Sequence, residues 1–265
     1  MFRHTKYHLR KHSFGSRVFF YILSFLIISL LAIYLESGFK TIDLSKLLLV
    51  FKDVSVFQLL VYSLYTFLRL CVAYLISLFL ALLVVFVVTR HKKIENFLVP
   101  IFDILQSVPV LAFFPLIIVV FAQLGLPELA AQLVLVIAMF WSILFGALGG
   151  LHLIPEEIFD AAQVYNAKGL QMFFKVIVPS IFPHIVTGSV LSFGEGWNVI
   201  IISEYINYGN IHMSLPGLGN LLSVSAGHNS GLFIASLLVL VGLILIVDRL
   251  VWHRLTEYGE RFKFE

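Results

Sequence analysis

A chain of 265 residues that is 60% hydrophobic and 12% charged, with a mean hydropathy of +1.00, is excluded from the ordinary soluble class, where apolar residues make up about half. It reads as an integral membrane protein whose net charge of +3 resides in loops and ends, which speaks for orientation in a bilayer and against nucleic acid as a partner. The lone Cys71 excludes an internal disulfide and a cysteine metal cluster.

Basic residues precede the first apolar stretch, 18–35. A secretory signal is the competing reading. The run is about as long as a bilayer-spanning helix, no small-residue cleavage site follows it, and more apolar runs come after, so a signal anchor is expected. Six stretches reach the length needed for roughly 30 Å of hydrocarbon at about 1.5 Å per residue. They are 18–35, 70–89, 99–121, 129–151, 184–206 and 231–251. An amphipathic lead-in from Val54 to Leu68 makes the second helix long enough to project from the bilayer.

Lysine and arginine in short loops bias those loops toward the cytoplasm. All of the 18 except Lys40, Lys46, Lys52 and Arg69 fall on one side. The expected division is a basic cytoplasmic N-terminus over 1–17, one transmembrane domain over 18–251 and a cytoplasmic tail over 252–265.

Pro100, Pro109 and Pro115 fall in the third stretch. Each interior proline removes a helix hydrogen bond, so QSVPVLAFFP is expected to kink. The kink serves either packing or transport. Ser142, Gly146 and Gly150 in the fourth stretch, and Gly188, Ser192 and Gly196 in the fifth, recur at four-residue spacing. Small residues so spaced let helix backbones approach closely, against each other or against a second copy.

Between the fourth and fifth stretches lies PEEIFDAAQVYNAKGLQMFFKVIVPSIFPH, from Pro155 to His184. Its Glu156, Glu157, Asp160, Asn166, Lys168 and Lys175 require water. Pro155 suits a first helical position, the two glutamates suit the positive helix end, and Ile158, Ala161, Ala162 and Tyr165 repeat along one face. Asn166 tolerates the left-handed turn that stops the helix. A second amphipathic piece, Leu170 to Val178, is expected to end at Pro179. The whole reads as a cytoplasmic helix-turn-helix that offers an alanine-lined face to a partner. After the fifth stretch, NYGNIHMSLPGLGNLLSVSAGHNS is expected to form a short helix at or dipping into the outer interface.

Charge inside hydrocarbon costs a few kcal/mol or more unless paired or hydrated. Glu195, in FGEGWN, lies on a stripe with Gly188, Ser192 and Asn198. It is either a pathway-lining group, a buried hydrogen-bonded carboxyl, or the partner of Arg69. Glu204 near the outer end of that stretch and Asp248 near the inner end of the last are expected to be solvated or capping. The chain has no GxxxxGK[ST] phosphate loop, no HExxH and no GxSxG, so it cannot cradle ATP in the usual way. Its nine histidines are scattered, and His152 and His184 flank the polar segment.

Within that segment, DAAQVYNAKGLQMFFKVIVPSIFP resembles the EAA loop of permease subunits of binding-protein-dependent ABC importers. Asp160, Ala161 and Ala162 stand for the triplet, Asn166 for the family glycine and Val178-Pro179 for Leu-Pro. QSVPVLAFFPLIIVVFAQLG, ISEY with Glu204, and LPGLGNLL resemble the nitrate/sulfonate/taurine-type subgroup, and the likeness covers roughly 55–251. The resemblance implies an all-α membrane protein of type I importer architecture, with six transmembrane helices and a coupling loop over 152–183. It implies that Glu157, Asp160, Ala161, Ala162, Tyr165, Asn166 and Gly169 meet a separate ATPase subunit, which holds ATP and magnesium, while this chain binds no cofactor and no metal. An extracytoplasmic solute-binding protein, a second copy or sister permease, and membrane lipid complete the partners, at the cytoplasmic (inner) membrane. Relatives of this type carry sulfonates, nitrate, bicarbonate or pyrimidine vitamin precursors. Glu195, Asn198, Glu204 and Arg69 are the pathway candidates, although an acidic Glu195 is unlike what an anion pathway would present. Two other functions fit the composition: an intramembrane enzyme using Glu195 with a histidine, or a structural membrane subunit.

Overall fold

The computed structural model describes residues 55–208 and 211–262. The basic N-terminus 1–17, the expected first span 18–35 and the last residues of the tail, 263–265, lie outside the described residues.

Helix α1 (Val56–Arg90) begins at Ser55, whose hydroxyl accepts from the Gln58 N–H at 3.3 Å, the bond an N-cap serine supplies. It runs 35 residues without a break, about 52 Å at 1.5 Å per residue, so the lead-in and the expected span are one helix longer than the hydrocarbon layer. Leu59, Thr66, Leu70, Ala73, Ser77, Ala81, Val85 and Val88 are buried along one face, while Phe57, Leu60, Leu64, Leu75 and Phe79 are exposed.

The expected third span is two helices, α2 (Lys92–Gln106) and α3 (Val110–Gln123). They turn by 81° between Lys92–Gln106 and Val110–Phe121. One proline of the three makes the break. Pro109 has no N–H to continue the ladder and disfavours helical backbone at Val108. The N–H groups of Ser107 and Val108 fall back on the carbonyls of Ile104 and Leu105, at 3.1 and 3.2 Å. Pro100 and Pro115 sit inside α2 and α3 without ending them.

Helix α4 (Pro127–Leu151) starts with proline in its first turn, where the missing N–H costs nothing. After α5 (Glu156–Val164), helix α6 (Leu170–Glu204) runs 35 residues, which corrects the expected stop at Pro179. Its first part widens into a π turn over Phe173–Ile177, with the Val178 N–H reaching back to the Phe173 carbonyl. The wider turn seats the Pro179 ring, and the Ser180 hydroxyl bonds the Val176 carbonyl at 2.7 Å. The helix then continues through Pro183.

The all-helical expectation needs one correction. A two-stranded antiparallel hairpin, β1 (Tyr205–Tyr208) with β2 (Ile211–Ser214), follows α6, with Tyr205 opposite Ser214 and Tyr208 opposite Ile211. Then come the short helix α7 (Leu218–Ser225), much of it buried, and α8 (Ser230–Phe262). Asn229 caps α8 by accepting from the Leu232 N–H at 3.1 Å. Helix α8 does not stop at 251. It passes through a π turn at Asp248–Trp252 and docks on α6, with Phe182 facing Tyr258 at 5.8 Å and Phe262 at 5.7 Å between ring centroids.

Helices α4 and α6 form the centre, and the small-residue stripes meet within this one chain. A Cβ on Gly188 would lie 2.6 Å from the Ser142 carbonyl oxygen, one on Gly146 would lie 2.9 Å from that of His184, and one on Gly150 would lie 2.7 Å from the His184 side chain. Gly196 gives the same close approach to Leu70 of α1, at 2.8 Å, while Ser192 is fully buried. On this seam Leu70, Val134, Leu135, Met139, Phe193 and Ile200 make one core cluster. Ala81, Val85, Ile143, Leu144, Ile177 and Ile181 make another, nearer α5. Among the described residues, helices α1, α4, α6 and α8 are long and apolar enough to cross a membrane, and the bent pair α2–α3 makes up to five.

Candidate functional site

Among the described residues, polar chemistry gathers at the α5–α6 turn at one end of the bundle, in a buried charge cluster at the other, and in a cavity between.

At the first end α5 buries Ile158, Phe159 and Ala162 in whole or part, and exposes Glu157, Asp160 and Ala161. The expected single face of Ile158, Ala161, Ala162 and Tyr165 is thus divided. Ile158 and Ala162, one turn apart, point inward, and Ala161 turns out. Tyr165 is released because the helix ends at Val164, which leaves Val164 83% and Tyr165 87% exposed. Asn166 takes φ 57°. Its N–H bonds the Gln163 carbonyl at 2.8 Å, and the Ala167 N–H bonds the Ala162 carbonyl at 3.0 Å. This pair of bonds around a left-handed residue is the Schellman stop, with asparagine in the place usually taken by glycine. Gly169 also has positive φ, 60°, and a Cβ there would lie 3.0 Å from Arg90 Nη2. Arg90 caps this corner from α1, its guanidinium 4.3 Å above the Phe86 ring. Beside it, Glu95 on α2 meets His152 at 2.7 Å.

At the opposite end the Glu204 carboxylate is wholly buried, which corrects the solvated or capping role expected for it. Arg69 Nη1 donates to Glu204 Oε1, Thr66 donates to the same oxygen at 2.8 Å, and the Gly219 N–H donates to Oε2 at 2.7 Å. Thr66 in turn accepts from the Leu218 N–H at 2.8 Å. The other arm of Arg69 reaches Glu128 at the start of α4, Nε to Oε1 at 2.7 Å and Nη2 to Oε2 at 3.0 Å. A buried guanidinium is thereby matched by two carboxylates, as burial of charge demands. Arg69 is therefore the partner of Glu204 and Glu128, and not of Glu195. Gly217 and Gly219 admit this cluster: a Cβ on Gly217 would overlap the Glu204 carboxylate, and one on Gly219 would lie 2.6 Å from the Ile201 Cα. Glu128, Thr66 and these two glycines escaped the reading by composition. The available signals were the Thr66/Arg69 spacing on α1 and a carboxylate in the first turn of α4.

Glu195 and Asn198 share a third environment. They line a cavity of about 400 Å³ with Gln106, Pro109, Trp141 and Ser142, at the elbow between α2 and α3. Gly188 and Ser192 lie on the buried side of α6 and Glu195 on the exposed side, so the expected common stripe is split. No histidine is among the described residues that line this cavity.

Residues 73–253, more than half of the chain, match the family model described as binding-protein-dependent transport system inner membrane component. The chain is similar to a nitrate import permease protein of Leptolyngbya laminosa, 32% identical over 149 residues, or 55% of this chain and 50% of that one. It is similar to a taurine transport system permease protein of Escherichia coli (strain K12), 29% identical over 153 residues, or 58% and 50%. It is similar also to a bicarbonate transport system permease protein of Synechocystis sp., 31% identical over 122 residues, or 46% and 42%. The chain spans about half the length of the curated relatives it matches.

Proposed function

The chain belongs to the family of binding-protein-dependent transport system inner membrane components, and from that premise we propose that it is the permease subunit of an ABC importer. It forms the solute pathway across the cytoplasmic (inner) membrane and couples it to ATP hydrolysis on a separate subunit. The observation that carries the coupling role is the α5–α6 turn. Val164 and Tyr165 stand out at the end of the bundle beside the exposed carboxylates of Glu157 and Asp160, and an apolar surface of that kind, held rigid by its Schellman stop, suits a partner groove.

In this reading Ala162 anchors α5 inward while Glu157, Asp160, Ala161 and Tyr165 meet the ATPase, and Asn166 and Gly169 set the turn. ATP and magnesium belong to that ATPase. Closure of two ATPase subunits rocks this chain against a second copy or a sister permease, while an extracytoplasmic binding protein delivers the solute. Both termini are cytoplasmic, an orientation supported by Arg90, Lys92, Lys93 and Lys168 near the same turn. Glu195 and Asn198 line the pathway, and the Arg69–Glu204 clamp braces its outer end. The solute is a small organic or inorganic anion of the kinds named for the relatives, or a pyrimidine vitamin precursor.

The test is co-purification of the full chain with its ATPase subunit. Ala161→Arg, on the exposed side of α5, is expected to abolish association while leaving the thermal midpoint of the chain unchanged. Undiminished association of that variant would remove the coupling role.

A further inference from the structure

The Glu195 cavity has a charge balance that narrows the solute, given the permease reading on which this inference rests. From Glu195 to Glu204 the helix rises about 14 Å at 1.5 Å per residue, so the carboxylate lies well inside the span. Its neighbours in the cavity wall are Gln106, Trp141, Ser142 and Asn198, with no lysine, arginine or histidine among the described lining residues. Glu195 has neither a hydrogen bond nor an ion pair with any described residue, whereas Arg69, a cation near the far end, is already held by Glu204 and Glu128. Gln106 donates its amide N–H to Asp103 at 2.7 Å, which places a second carboxylate one turn from the wall and leaves the Gln106 amide oxygen as an acceptor.

We propose that this cavity binds the cationic nitrogen of the solute, such as a protonated amine carried beside an acidic group or on a pyrimidine. An uncompensated carboxylate repels a bare anion most where permittivity is low, and a cation restores neutrality there. Trp141 lines the same wall, and an indole attracts a cation over its face, while the Asn198 and Gln106 oxygens are acceptors for the cation's N–H groups. At about 400 Å³ the cavity holds a small molecule. A bare oxyanion would find the Ser142 hydroxyl and the Asn198 amide N–H groups as donors, but beside an opposing carboxylate.

The experiment uses the full chain with its ATPase subunit in lipid nanodiscs and reads binding of tritiated benzylammonium by scintillation proximity. The competitors are taurine and ethanesulfonate, which differ by the ammonium group alone. Saturable binding is expected, with taurine displacing at least about tenfold better than ethanesulfonate and Glu195→Gln weakening affinity about tenfold or more. Glu195→Asp, which keeps the charge, is expected to restore most of the loss, and an unchanged melting midpoint excludes a folding defect. Equal displacement by the two sulfonates, no amine binding by the natural chain, or full binding by Glu195→Gln would each overturn the proposal. Co-purified ATPase is quantified in the same samples: failure of amine binding with the ATPase present removes this inference alone, and absence of the ATPase removes the permease reading.

Discussion

Arg69 on α1 and Glu204 at the end of α6 meet side chain to side chain across 135 residues of sequence, both buried. Without Glu204, Arg69 keeps Glu128, but its Nη1, the Thr66 hydroxyl and the Gly219 N–H lose their buried acceptor, and breaking a buried pair costs up to about 3–5 kcal/mol. Glu204→Ala is therefore expected to lower the thermal midpoint of the purified chain sharply. The double variant Arg69→Met/Glu204→Met, which removes both charges at similar volume, is expected to recover most of that loss. A double variant no more stable than Glu204→Ala would mean that the glycine and threonine bonds, and not the ion pair, hold this corner.

Glycines on α6 are not equivalent. Gly188→Ala drives a methyl to within 2.6 Å of the Ser142 carbonyl, and overpacking of this kind costs about 1–3 kcal/mol. Gly194, with nothing within 4 Å of the same methyl, is expected to gain up to about 1 kcal/mol from alanine through helix propensity alone. Opposite shifts of the two melting curves are the expected result.

The turn after α5 depends on a left-handed residue. Asn166→Gly is expected to leave stability within a few tenths of a kcal/mol or improve it, whereas the β-branched Asn166→Val costs about 1–2 kcal/mol at φ 57°. Limited proteolysis near Tyr165 is the measurement, with faster cleavage of the valine variant alone.

Pro109 alone separates α2 from α3. In Pro109→Ala the ladder can close through Val108, and hydrocarbon favours a continuous helix because unpaired backbone groups have no other partner there. Spin labels at Glu95 and Val120, measured by double electron–electron resonance, are expected to move apart as the 81° elbow opens.

Much of the architecture is local and could be read from composition. Hydropathy located α4 to within two residues of its observed start, glycine spacing marked the two close-packing faces but left their partner open between each other and a second copy, and the tolerance of asparagine for positive φ located the stop at Asn166. The misreadings arose where the decisive relation is non-local or where backbone geometry can adapt. Hydropathy treats Glu204 as a polar residue near a span end and cannot see that Arg69, Thr66 and the Gly219 N–H converge on it. Proline rules place an end at Pro179, but a π turn that closes two residues upstream, at Ile177, gives the ring room. The hairpin did leave a trace, since Gly-Asn between Tyr-rich and Ile-containing runs is a two-residue turn signal, overshadowed by the long apolar runs on either side.

The Glu204 corner has a mechanical meaning. Its carboxylate ties α1 and α7, and its own carbonyl accepts from the Leu215 N–H at 2.9 Å, so the chain leaving the hairpin is tied as well. In the coupling proposed above, a push on α5 would enter the foot of α6, a lever of about 52 Å at 1.5 Å per residue, and arrive at a joint tied in three directions. The Pro109 elbow lines the same cavity as Glu195, so a stroke that turned this corner against α2 and α3 would widen or pinch the space where a solute would rest.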